Sequence, residues 1–114
     1  MNVLPEIHAH RERLVALRHD LHAHPELAFD EHRTSAAVAA FLEELGIAVH
    51  RGLAGTGVVG VLRRGSGSRA IGLRADMDAL PVLEQNRFPH RSRQEGRMHA
   101  CGHDGHTAML LGAA

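Results

Sequence analysis

The most informative stretch of the sequence is residues 98–107, which read MHACGHDGHT. Cys101 and His103 are separated by one residue, so a locally extended backbone lets the thiolate and the imidazole converge on one metal ion or on two neighbouring ions. Both groups are good ligands for zinc and related ions. Gly102 and Gly105 carry no side chains where the backbone has to bend close to an ion. The stretch therefore predicts that Cys101 and His103 are metal ligands.

A plainer interpretation exists for an isolated Cys-x-His pair, which is more often an inert cysteine beside surface histidines. Its spacing also differs from the paired clusters of zinc fingers. The surroundings of this pair favour the functional interpretation, because His99, Asp104 and His106 add three ionisable side chains within a few residues. Residues 106–111 follow as a predicted helix.

A second polar cluster lies upstream, at residues 74–81, and reads RADMDALP. Asp76 and Asp78 point the same way from an extended chain, at the end of a predicted strand, where α/β folds tend to place their sites. Two such carboxylates repel each other unless a cation, a shared proton or Arg74 offsets their charge. The alternative is that Asp76 caps a turn and Asp78 is solvated. The polar connection holding these residues is long for a compact domain, so we expect the functional site there.

Two amphipathic helices are predicted further upstream. Apolar residues recur at helical spacing after Pro5, which predicts a first helix over residues 6–23 that stops before Pro25. A second helix is predicted to begin near Asp30 or Glu31 and to end at Gly46. Both helices need an apolar partner surface.

Three β-like runs are predicted to supply that surface, at residues 47–53, 57–64 and 69–74. The turn-forming residues 65–68 are predicted to join the last two runs in a hairpin. Helices combined with a hairpin-containing sheet, a metal-site loop and the start of a further helix predict an α/β fold.

Composition excludes few function classes. The chain has 114 residues, 44% of them hydrophobic, and a formal net charge of zero, so no global charge favours nucleic acid or an acidic membrane surface. A single cysteine and a start without a basic, apolar leader predict a cytoplasmic protein. No apolar stretch approaches the roughly 20 residues that cross a bilayer, so no membrane partner is expected. A basic patch formed by Arg87, Arg91, Arg93 and Arg97 belongs to no recognised nucleic-acid fold, and we expect a solvated loop.

Four motifs, taken in order, make the sequence resemble the M20 metallopeptidases. Within that family the resemblance is to the amidohydrolase branch, which includes hippurate hydrolases, N-acyl-amino-acid amidohydrolases and auxin-conjugate hydrolases. The motifs are RHDLHAHPEL at 18–27, GTGVVG at 55–60, LRADMDALP at 73–81 and MHACGHDGHT at 98–107.

The resemblance implies roles for individual residues. Cys101 and His103 match the first two metal ligands of the family. Asp76 stands where other M20 branches carry the histidine of a His-x-Asp motif, whereas Asp78 matches the aspartate that orients the metal site. The resemblance thus implies a supporting role for Asp78 and two divalent ions in the complete enzyme, drawn from zinc, manganese, cobalt or nickel.

The resemblance also implies a fold and a reaction. Residues 1–114 would form the N-terminal part of a zinc-peptidase-like catalytic domain, without the family's lid and dimerisation domain. The reaction would be hydrolysis of the amide bond of small N-acyl amino acids such as hippurate, by a metal-activated water. The family's general base and later ligands lie downstream, so the 114 residues by themselves are expected to be inactive. The complete protein is expected to be able to assemble as a homo-oligomer.

One alternative function remains open, a non-enzymatic module that binds a single metal ion or an anion. The number of metal ligands discriminates between the two, because a catalytic zinc site takes three protein ligands and an open position. His22 and His24 resemble a ligand pair, but they end an amphipathic helix before Pro25 and are expected to be structural.

Overall fold

The computed structural model describes residues 4–114. In chain order the elements are α1 (Pro5–Ala9), α2 (Arg11–Ala23), α3 (His32–Glu44), β1 (Ala48–Leu53), β2 (Gly57–Val61) and α4 (His103–Ala113). Among these residues, no helix combines the length and the apolar character needed to cross a membrane. The arrangement is α/β, as predicted from the sequence.

The predicted first helix over residues 6–23 is two helices in the structure. The break lies at His10, whose φ of −94° and ψ of 2° depart from helical values. Helix α1 buries none of its residues, so packing does not hold it in line with α2. The prediction of one continuous helix was therefore wrong at this point, while the end of α2 at Ala23 agrees with it.

Helix α3 is capped by a side chain from outside the helix. The Glu26 carboxylate accepts hydrogen bonds from the backbone N–H groups of Arg33 and Thr34 and from the Thr34 hydroxyl. Burial acts to raise the pKa of Glu26, but these hydrogen bonds and the Arg33 charge outweigh it and hold the pKa below its usual 4.5. The helix ends just before Gly46, whose φ of 72° is the left-handed conformation predicted for that glycine.

The small hydrophobic core joins all the larger elements. Leu42 of α3, Ile47 before β1 and Leu111 of α4 are its buried members. Partly buried apolar side chains from α2, α3 and the two strands pack against them, namely Leu17, Val38, Phe41, Val49 and Val58. The core thus fixes α4 against the helices and strands that precede it.

The sheet contains two antiparallel strands. Strand β1 pairs with β2 in the register Val49 opposite Gly60 and Arg51 opposite Val58, so the hairpin is formed by the first two predicted runs. The predicted hairpin between residues 57–64 and 69–74 was wrong. A strand requires a hydrogen-bonded neighbour, and residues 69–74 pair with no other strand among residues 4–114. Their apolar side chains accordingly stay exposed, with Ile71 at 86%.

The connection between β2 and α4 contains no helix and no strand, yet it is held at several points. Ala79 donates its N–H to the Glu26 carbonyl at 2.7 Å, and Leu80 and Met98 exchange two backbone hydrogen bonds of 3.0 Å. Arg93 donates its N–H to the carbonyl of Ala23 at 2.8 Å. These bonds bring the predicted site loop against the end of α2 and the start of α4.

Helix α4 packs closely on α2. A Cβ placed at Gly112 would lie 2.7 Å from Leu14 Cδ1, so the two helices approach at a position without a side chain. Leu21 of α2 and Ala108 of α4 are both buried in the packed region. The orientation of α4, and with it the direction of its first turn, is therefore set by contacts with α2.

Candidate metal centre

The first turn of α4 presents two histidines on one face. The helix begins at His103, three residues earlier than predicted, because Gly102 takes a left-handed conformation with φ 85° and accepts backbone hydrogen bonds from Gly105 and His106. The expected extended backbone from Cys101 to His103 was therefore wrong. His103 and His106 are three residues apart on the helix, so their rings are neighbours, with centroids 5.4 Å apart.

The ring of His103 is held in place by Asp78. Its Nδ1 lies 2.9 Å from Asp78 Oδ1 and 3.0 Å from the Asp78 carbonyl oxygen. Both of these oxygens are acceptors, so Nδ1 carries the proton and donates it. A neutral imidazole in this tautomer presents the lone pair of Nε2, the atom left to bind a metal ion. The alternative of a solvated Asp78 was wrong, because its carboxylate contacts His103.

The carboxylate of Asp76 lies on the Nε2 side of the same ring. Asp76 Oδ2 is 3.6 Å from His103 Nε2, and Asp76 Oδ1 is 2.8 Å from His106 Nδ1. The hydrogen bond from His106 is the largest influence on the pKa of Asp76 and, together with both histidine charges, holds it below its usual 3.8 against the opposing effect of burial. The backbone of Asp76 is anchored by the Thr107 hydroxyl, which donates to its carbonyl at 3.0 Å.

The donor set suits a divalent metal ion. One donor atom each from Asp76, His103 and His106 lies within 4.8 Å of the others, and a carboxylate with two imidazoles is a ligand combination that zinc, manganese, cobalt and nickel accept. All three side chains retain access to solvent, so an ion and a substrate can reach them. Cys101, predicted as a ligand, is exposed and lies outside this group of three. Its ligation stays a prediction.

A buried ionic network lies immediately behind the first turn of α4. The Asp104 carboxylate is fully buried and accepts hydrogen bonds from His22 Nδ1 at 2.9 Å and from Arg18 Nε at 3.2 Å. The other ring nitrogen of His22, Nε2, lies 3.0 Å from Glu84 Oε1. Burial acts to raise the pKa of Asp104, but the His22 hydrogen bond, the Gly105 N–H and the nearby positive charges outweigh it and lower the pKa.

Glu84 is held in the same way at the other end of the network. Its carboxylate accepts hydrogen bonds from the Ser92 N–H and the Asn86 amide as well as from His22. Burial is the largest single influence and acts to raise the pKa of Glu84, but these donors together hold it below 4.5. Next to the network lies His99, whose ring is buried, and this desolvation lowers the pKa of His99.

His103 and Asp78 were both expected at the site, and the structure shows that they contact each other. It also brings Asp76 close to His103, although the family resemblance did not support Asp76 as a ligand. His106 was not singled out as a metal ligand, although its spacing of three from His103 would have identified it once the helix start was known. The sequence carries no signal for the contacts of His22 with Asp104 and Glu84, which lie 82 and 62 residues away.

Comparison with known proteins places this geometry in a family. The profile of Peptidase family M20/M25/M40 matches residues 72–114, which hold Asp76, Asp78 and the first turn of α4. A hippurate hydrolase from Campylobacter jejuni is 51% identical over all 114 residues. The chain belongs to the M20 peptidase family. It spans 30% of the length of that hippurate hydrolase.

Other M20 relatives share most of the chain. An IAA-amino acid hydrolase from Arabidopsis thaliana is 46% identical over 89% of the chain, and a thermostable carboxypeptidase from Saccharolobus solfataricus is 46% identical over the same share. The chain covers 23% and 26% of these two proteins. A crystal structure of the Bacillus subtilis YXEP protein, described as a dinuclear metal-binding peptidase of the M20 family, matches 91% of the chain with 42% identity and a TM-score of 0.86. The chain covers 30% of that structure. The predicted α/β metal-peptidase fold is confirmed.

The lowered carboxyl pKa values predict loss of stability in acid. Glu26 and Glu84 have folded pKa values below 4.5, so the unfolded chain binds more protons than the folded chain as the pH falls through that value. The contribution of these two carboxylates to the free energy of unfolding is therefore fully present above about pH 5 and is lost as the pH falls below about 4.5. The urea midpoint of the metal-free protein, measured across this range, should fall less steeply with decreasing pH in Glu84→Gln than in the parent. The exposed Glu95→Gln is the control, and an equal change in both variants would contradict the assignment.

Proposed function

We propose that this M20 family member contributes to a metal-dependent amidohydrolase that cleaves the amide bond of small N-acyl amino acids. The observation that carries the proposal is the arrangement around His103. Asp78 holds Nδ1 of its ring, while the Asp76 carboxylate lies 3.6 Å from Nε2 and accepts a hydrogen bond from His106. A histidine oriented by a carboxylate is typical of catalytic metal sites.

The residues that would hold the metal come from two sources. By family resemblance they are Cys101 and His103, and by geometry Asp76 and His106 each offer a donor atom within 4.8 Å of one from His103. When bound, divalent ions supply an activated water and polarise the substrate carbonyl. Two ions of this kind fit the dinuclear character of the Bacillus subtilis relative.

The protein's own side chains prepare this site for cations. Asp78 keeps the proton on Nδ1 of His103, so that Nε2 is free to bind a metal ion. The low pKa of Asp76 keeps that carboxylate ionised at neutral pH, and the Arg74 guanidinium, 3.6 Å away, offsets part of its charge before a metal binds. The three donors retain access to solvent, which leaves room for a substrate carbonyl to approach.

The names of two relatives support this substrate class. They are named for the hydrolysis of hippurate and of IAA-amino acids, and hippurate is itself an N-acyl amino acid. These proteins match 100% and 89% of the chain. A small-molecule amide with a free carboxylate is therefore the substrate that we propose.

A second candidate function is a non-enzymatic site for one metal ion. The group formed by Asp76, His103 and His106 favours it, because its three donor atoms lie within 4.8 Å of one another and so can converge on one ion. The two candidates differ in their demand on the remainder of the protein. Only the hydrolase requires a general base, which the family resemblance assigns to a segment downstream of residue 114.

Hydrolysis assays distinguish these candidates. The full-length protein, stripped of metal and reloaded with zinc, manganese, cobalt or nickel, is expected to release amino acid from hippurate and from N-acetyl amino acids with saturable kinetics. Residues 1–114 by themselves are expected to release no more than a metal-only blank, because the downstream base is missing. Stoichiometric metal binding by the full-length protein without turnover of any N-acyl amino acid would support the single-ion module instead.

A further inference from the structure

A buried histidine links the scaffold to the metal centre. His22 lies in the last turn of α2 and is 6% exposed. Its Nδ1 is 2.9 Å from Asp104 Oδ2 and its Nε2 is 3.0 Å from Glu84 Oε1. The side chains of both carboxylates are almost completely buried, at 0% and 4% exposure. The ring therefore bridges helix α2, helix α4 and the loop that carries the site.

We propose that His22 is a positioning residue for the metal centre, acting through Asp104 on the first turn of α4. The inference rests on the proposed function, since it assumes that His103 binds metal. Asp104 is joined directly to His103, so a force that fixes the Asp104 carboxylate also fixes the backbone from which the His103 ring projects. Asp78 then sets the rotation of that ring from the opposite side.

The strength of this contact comes from charge and burial together. Carboxylate oxygens only accept hydrogen bonds, and each ring nitrogen of His22 faces one of them. Hydrogen bonds in which one partner is ionised are roughly twice as strong as neutral ones, and burial excludes the water that would compete for them. Arg18 adds a further donor to Asp104 from the preceding turn of α2. The first turn of α4 is consequently held by two side chains of one helix.

The Glu84 contact serves a separate purpose. Glu84 is also bound by the N–H of Ser92 and the amide of Asn86, so its position depends on the loop itself and not on His22 alone. Asp104, by contrast, receives its side-chain hydrogen bonds from α2 only, through Arg18 and His22. Loss of the Asp104 contact should therefore disturb the metal centre more than loss of the Glu84 contact.

Two substitutions separate these contacts. An asparagine amide nitrogen occupies the place of histidine Nδ1, and a glutamine amide nitrogen occupies the place of Nε2. His22→Asn thus keeps the donor to Asp104, whereas His22→Gln keeps the donor to Glu84. Both variants lose one buried hydrogen bond and should lower the melting temperature of the metal-free protein. Only His22→Gln is expected to weaken cobalt binding, by about 10–100-fold, the range seen when partners of metal-binding histidines are lost.

The measurement is cobalt titration of the metal-free, full-length protein, read by visible absorption and by competition with a chelator. His22→Gln should shift the cobalt spectrum and lower the affinity, while His22→Asn should stay close to the parent. His24→Gln is the matched control, because His24 ends the same helix but bonds only to Asp20 of α2. If His22→Gln does not fold, Asp104→Ala replaces it, with the same expected shift, because it removes the acceptor for His22 Nδ1.

Each result of the cobalt titration other than the expected one would overturn a stated part of the proposal. An unchanged cobalt spectrum and affinity in His22→Gln, with a lowered melting temperature, would mean that His22 only stabilises the fold, and the proposal would be overturned. Equal losses of cobalt affinity in His22→Asn and His22→Gln would overturn the route through Asp104. Failure of the parent protein to bind cobalt would refute the proposed function itself, a result distinct from both.

Discussion

Replacing Cys101 with serine in the full-length protein is expected to remove most of the bound metal and to reduce hydrolysis of N-acyl amino acids to below about one-hundredth. The loss should exceed the 10–100-fold seen for residues that only orient metal ligands, because serine takes away a soft anionic donor. The family resemblance assigns Cys101 as a ligand, and the residue lies beside His103 across a glycine whose φ of 85° lets the chain turn sharply. Cobalt reports the ligand directly, since a thiolate gives a charge-transfer absorption that imidazoles and carboxylates do not.

Residues close to Cys101 provide the control and the result that would contradict its assignment as a ligand. Ala100→Ser adds a hydroxyl one position earlier, at another exposed residue, and should leave metal content and absorption unchanged. Cys101 lies outside the group formed by Asp76, His103 and His106, so an alternative ligand set is available close by. If the cobalt absorption survives Cys101→Ser and bound metal is lost in His106→Ala, the site is that three-residue group and the assignment of Cys101 is wrong.

Replacing Asp104 with alanine is expected to lower the free energy of unfolding by about 3–5 kcal/mol, the cost of breaking a buried ion pair by removing one partner. Arg18 is half exposed, so its guanidinium can turn to water when Asp104 is lost. His22 is buried and cannot, which leaves its Nδ1–H without an acceptor. Urea unfolding of the metal-free protein measures the loss, and Asp104→Asn should cost less because it keeps the volume and one acceptor oxygen.

The matched control is Asp20→Ala. Asp20 also pairs with an arginine, Arg33 at 2.8 Å, but both side chains are close to half exposed. A surface pair of this kind contributes at most about 1 kcal/mol. If Asp104→Ala costs no more than Asp20→Ala, the network of Arg18, Asp104 and His22 does not hold α4 in place, and the route proposed from His22 to the metal centre loses its basis.

Sequence patterns correctly predicted the helix ends that are determined by residues next to them. The ends of α2 and α3 agree with the predicted ends because Pro25 cannot continue a helix and Gly46 adopts a left-handed conformation without strain. The prediction of a strand at residues 69–74 was wrong because a strand depends on residues far away in the sequence. The alternation of apolar residues in this segment is typical of a strand, but a strand exists only with a hydrogen-bonded neighbour, and the sequence of one segment does not contain its partner.

By itself the sequence predicted the family, through four ordered motifs, and metal binding as the chemistry of the centre, because HACGHDGH and RADMD contain several residues of the types that bind divalent ions. Only the tertiary structure decided which of these residues meet. It turned the backbone at Gly102, so that His106 joined His103 on one helical face, and it brought Asp76 and Asp78 to the two nitrogens of the His103 ring. It also buried His22 between Asp104 and Glu84. The physical reason is that the type of a side chain alone determines which ligands it can bind, whereas contacts between residues 25 to 82 positions apart depend on how the helices pack.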